Sequence, residues 1–152
     1  MGRLVKVGIG AVSVVADVIA IGAAATTDRA ASMLGKIWWF LIYSGKIGGG
    51  ACFGILVGVL LGLWLQQKSK ISDTTFAVLA GIGAVVCGVG GYFVPLSDHF
   101  WFIHSPIAEQ ALLAFLGLLI LFSTALTIAY TMSPAAKAWV DGLGEPKNPA
   151  AV

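Results

Sequence analysis

The sequence predicts an all-α integral membrane protein. About four transmembrane helices should form a small bundle, with the second and third as a close-packed antiparallel pair and a short interfacial helix near the C-terminus. Three observations predict this. Of the 152 residues, 59% are hydrophobic and 11% charged, with a mean hydropathy of +0.95, which is far too apolar for a domain that folds in water. Apolar runs at about 7–27, 47–65, 74–95 and 109–131 each suffice to cross a hydrocarbon core of ~30 Å, which takes about 20 helical residues. Finally, Gly50, Gly54, Gly58 and Gly62 recur every fourth residue through the second run. Residues four apart share a helix face, so these glycines form a bare groove. In lipid, helix association depends on close van der Waals fit, which small residues permit.

The chain reads as a single membrane domain over 1–152. Its first span, 7–27, carries Gly10, Ser13, Asp17, Ala20 and Ala24 along one side, with valines and isoleucines on the rest. That side should face protein, because an ionisable group facing lipid at mid-membrane costs several kcal/mol. Asp17 is therefore a candidate intramembrane ion or proton site; the alternatives are a carboxyl hydrogen-bonded or protonated against a neighbouring helix, or a segment lying in the interface.

After a short charged link comes an aromatic extension, 37–46, whose Trp38, Trp39 and Tyr43 suit the aromatic belt at a membrane surface. Together with 47–65 it is longer than the hydrocarbon core, so Ser44-Gly45 is expected to be a hinge and Lys46 to snorkel to the headgroups. Trp64 marks the opposite interface. The third span, 74–95, begins at an Asp73 or Ser72 cap and is lined by a row of Ala80, Ala84 and Gly88 and another of Gly83, Cys87 and Gly91. The turn between the two spans is so short that they must run antiparallel, groove against small-residue row.

Pro95 ends that helix. The loop after it holds Trp101 as an interfacial anchor, with His99 and His104 as a candidate ligand or partner site. Ser105 and Pro106 read as N-cap and first helical residue of the last span, 109–131, which carries a hydroxyl stripe of Ser123, Thr127 and Thr131. A short polar tail, 133–152, should open with a helix resting on the membrane through Trp139.

No nucleophile with a base, paired carboxylates, nucleotide loop or metal-ligand spacing is present, so no catalytic residue, metal or cofactor is expected, apart from bound lipid. Cys52 and Cys87 lie inside spans and read as packing residues. With a formal charge of +2 the chain has no basic patch for nucleic acid. With four crossings, Arg3, Lys6, Lys68, Lys70, Lys137 and Lys147 share one side against Arg29, Lys36 and Lys46, which favours both termini on the cytoplasmic or matrix side of a bacterial or organellar inner membrane.

In length, helix number and repeated glycine the chain is similar in outline to the proteolipid ring subunits of rotary ATPases. Those need a carboxylate in the middle of the ion-carrying helix; here the second and fourth spans have none and Asp17 lies on the first, so membership is not assigned. The stretch 47–65 alone is similar to the glycine-zipper helices of the mitochondrial inner-membrane translocase family and of pore-forming phage holins. The leading functional expectation is a non-catalytic multi-pass subunit of a larger membrane complex of respiratory, photosynthetic or secretion type. Its partners would be membrane lipids and other subunits or copies of itself. The alternatives are a self-assembling pore or small channel that oligomerises through the glycines, and a membrane enzyme using His99 and His104.

Overall fold

The computed structural model describes residues 2–27, 32–68, 72–95 and 105–142. Those residues form five helices and no strand: α1 (Gly2–Ala25), α2 (Met33–Lys68), α3 (Asp73–Phe93), α4 (Pro106–Met132) and α5 (Pro134–Gly142). Helices α1 to α4 are long and apolar enough to cross a membrane. Their outward faces carry large aliphatic and aromatic side chains, as suits contact with acyl chains. Helix α2 is the hub, packing against α1, α3 and α4, while α1 and α4 also touch each other.

The α2–α3 contact is backbone on backbone. A methyl group added at Gly50 would overlap the Cys87 carbonyl, at Gly54 the Gly83 carbonyl, at Gly58 the Leu79 carbonyl and Ala80, and at Gly62 the Phe76 ring. The partner number falls as the glycine number rises, so the helices run antiparallel with the seam of α3 lying between its two small-residue rows. Ala84 and Gly88 are buried there and Ala80 is half-buried.

A second close contact joins α2 to α4. Gly45 sits against the Leu113 carbonyl, Gly117 against the Leu41 carbonyl, and Gly48 against the side chain of Ile120. Ile42, Leu113 and Ala114 complete that contact, with Trp39, Leu41 and Leu116 around it.

Two expectations need correction. Helix α2 runs unbroken through Ser44-Gly45, so there is no hinge; the two small residues instead let α1 and α4 approach, and both are buried. Lys46 does not snorkel to the surface but is 8% exposed within the bundle, because one turn of packing surrounds it on either side. The tail opens with a short helix, as expected, over Pro134–Gly142. Residues 143–152 lie outside the described part. Helix ends differ by smaller amounts. Helix α1 begins at Gly2 and stops at Ala25, where the Thr26 hydroxyl donates back to the Gly22 and Ala23 carbonyls. Helix α3 starts from Ser72, whose Oγ accepts from the Thr75 N–H at 3.2 Å. At the start of α4, Ser105 occupies the N-cap position without a side-chain cap bond, and Pro106 fills the first turn, where its missing N–H costs nothing.

Candidate functional site

The helical spacing of α1 puts Gly10, Ser13, Asp17, Ala20 and Ala24 on one face, and all five are buried. This face meets α2 and α4, and the meeting gathers most of the polar groups in the membrane-spanning core. Ser44 of α2 donates its hydroxyl hydrogen to Asp17 Oδ1 at 2.5 Å, a bond enclosed on all sides. Asp17 itself is 4% exposed, and its other oxygen, Oδ2, is buried without a hydrogen-bond partner among the described residues.

One turn along α1 from Asp17, the Ser13 hydroxyl lies 2.8 Å from the Ile9 carbonyl of its own helix and 3.0 Å from Ser123 Oγ on α4. A further turn along, Gly10 provides the space that the Thr127 side chain fills, and the Thr127 hydroxyl donates to the Ser123 carbonyl at 2.8 Å. Thr124 is buried beside this line, its Oγ1 without a hydrogen-bond partner among the described residues. The hydroxyl stripe therefore divides. Ser123 and Thr127 face α1, whereas Thr131 is exposed and bonds the Ile128 carbonyl of its own helix.

A cleft of about 680 Å³ opens alongside, bordered by Ser13, Lys46, Gly49, Phe53, Leu116 and Ser123. Its walls are mostly apolar, so the serine pair and Lys46 are the groups with which a polar occupant would interact. Glu109, at the start of α4, is also buried, at 2% exposure.

The aromatic anchors settle in different surroundings. Trp38 is exposed, with its Nε1 3.5 Å from Gln110 Oε1. Half-buried Trp39 leans on Tyr43, with ring centroids 5.8 Å apart, and Tyr43 leans on Tyr92 across the α2–α3 pair at 5.9 Å. Trp64 is exposed at the other end of α2 with Lys68 Nζ 4.0 Å from its ring centroid, a cation–π contact. Trp139 is exposed on α5, which the Tyr130 hydroxyl ties back to α4 by donating to Asp141 Oδ1 at 3.1 Å. His99, Trp101 and His104 lie outside the described residues. Cys52 and Cys87 are both free thiols. Among the described residues no three His, Cys, Asp or Glu side chains gather as a metal site would require.

Asp17 is visible in sequence as a carboxylate in an apolar run, but its partner is not. Ser44 reads there as half of a helix-breaking pair, and only the arrival of α1 turns its hydroxyl into a ligand. The pairing of Ser13 with Ser123 had a faint signal, since each lies on a small or hydroxyl-bearing row of its helix. The contact through Gly45, Gly48 and Gly117 had none beyond the residues being small. Compared with known proteins, the chain matches no protein-family model, no curated protein and no solved structure.

Proposed function

We propose that this chain is a non-catalytic, multi-pass subunit of a larger membrane assembly in a bacterial or organellar inner membrane, with both termini on the cytoplasmic or matrix side. The observation that carries the reading is a second small-residue furrow. The groove of Gly50 to Gly62 is filled by α3 of the same chain. Between α1 and α3 runs another furrow of about 230 Å³, bordered by Gly8, Val12, Ile55, Val59, Ala77 and Gly81. A methyl group added at Gly8 or Gly81 would meet nothing within 4 Å. A furrow flanked by glycines lets another backbone come close, and such fit is what holds helices together in lipid.

A helix from another chain is the occupant this furrow suits, with lipid covering the remaining apolar surface. The rival reading, a pore made of copies joined through Gly50 to Gly62, would require α3 to leave the groove it fills. Replacement of Gly81 by leucine tests the proposal. Gly81→Leu should insert normally yet reduce the mass of the complex extracted in mild detergent, read on a native gel beside the identities of co-purifying chains. An unchanged complex would count against a subunit role through this face.

A further inference from the structure

We infer that Asp17 is an intramembrane proton-binding site, its carboxylate held by Ser44 and its second oxygen left open for the proton. The inference is independent of which partner occupies the furrow on the opposite flank of α1. It starts from the two oxygens of one carboxylate. Oδ1 accepts the Ser44 hydroxyl hydrogen, whereas Oδ2 is buried with no donor. A polar atom out of water without a partner is costly, and the cost is relieved when a proton binds it. The side chain is 4% exposed, so that proton cannot arrive from bulk water directly. Other hydroxyls lie on the same face. Ser13, one turn away, shares a hydrogen bond with Ser123, and both serines border the cleft.

On uptake the proton binds Oδ2. Ser44 keeps its own proton and continues to donate to Oδ1, so the charge of the site changes by one unit and no other group is consumed. The titratable and charged groups on the elements packed against this face are Lys46, the half-buried Cys52 and Tyr43 and the exposed Lys36 and Lys68 on α2, together with the buried Glu109 and the half-buried Tyr130 on α4. Lys46 borders the same cleft as the serine pair. Oxygen ligands for a metal cation are scarcer: beyond Asp17 and the hydroxyls, no second carboxylate shares the Ser13–Ser123 level of α1 and α4.

The test is modification of the full chain, reconstituted in lipid nanodiscs, by a hydrophobic carbodiimide, which reacts with protonated carboxyl groups and leaves an adduct located by mass spectrometry. The adduct at Asp17 should form at low pH and decline as the pH rises. Ser44→Ala removes the hydroxyl from which Oδ1 accepts, so its labelling curve should differ from that of the parent chain, while Ser44→Thr, which keeps the hydroxyl, should restore the original curve. A side chain that merely packs would leave that curve where it was. The proposal is overturned by absence of an Asp17 adduct at every pH, by labelling that ignores pH, or by an Ser44→Ala curve that does not shift. Protection by sodium but not by potassium would overturn it as well, in favour of a sodium site.

Discussion

Ser13 makes the only direct side-chain hydrogen bond between α1 and α4 among the described residues, to Ser123 at 3.0 Å. A hydrogen bond between helices in a membrane is worth less than the dryness of its surroundings suggests, because a polar group that loses its partner finds another on the backbone. Ser13 already has the Ile9 carbonyl within reach. Ser13→Ala should therefore cost about 0.6 kcal/mol and no more than about 1.7 kcal/mol. Reversible unfolding in bicelles measures this, and a loss of several kcal/mol would mean that the Ser13–Ser123 pair holds α1 in place. At this scale the sequence is legible where chemistry is conspicuous and silent where it is relational. A carboxylate amid valines announces itself. Ser44, next to a glycine, reads as a weak point of the helix because helix propensity is a local quantity, and it acquires its role only from α1.

At the scale of elements, the two kinds of glycine in this chain should respond in opposite ways to one methyl group. Gly54 faces the carbonyl of Gly83 and the amide nitrogen of Ala84, with backbone on both sides, so neither helix can yield without moving as a whole. Gly54→Ala is expected to destabilise the α2–α3 pair by about 1–3 kcal/mol, the usual penalty of overpacking. Gly90, on the outer face of α3, has open space in front of it, and Gly90→Ala should be neutral or stabilising by about 0.5–1 kcal/mol, since glycine is the costlier residue in a helix. The same bicelle unfolding measurement applied to both variants checks the contrast, and equal effects would show that the seam is looser than its geometry. The spacing of four is what made the first groove readable. Helix α2 contains a second set of close approaches, at Gly45 and Gly48, whose period is broken and whose partner glycine, Gly117, stands alone in a leucine-rich helix. Periodicity detects a long groove; it does not detect a crossing point, where two helices touch over a single turn.

At the scale of the molecule, the contacts fix which helix ends lie together. Gly10 meets Thr127 and Gly62 meets Phe76, so the N-terminal half of α1, the C-terminal half of α2, the start of α3 and the end of α4 share one end of the bundle, and α5 follows there. Lys68 and Lys137 belong to that end, as do Arg3 and Lys6 by their place on α1, against Lys36 at the other. The burial of Lys46 sharpens this imbalance, because a lysine enclosed within the bundle no longer counts toward the charge of a loop. Basic residues close to the ends of spans are retained on the cytoplasmic side. Fluorescent-protein fusions at either terminus should accordingly glow in a bacterial host, while alkaline phosphatase at the same positions stays inactive and becomes active when inserted in the segment 28–31 or 96–104. Activity at a terminus would reverse the orientation. Opposite results at the two termini would mean an odd number of crossings, and with it that α1 does not traverse the bilayer beside α4.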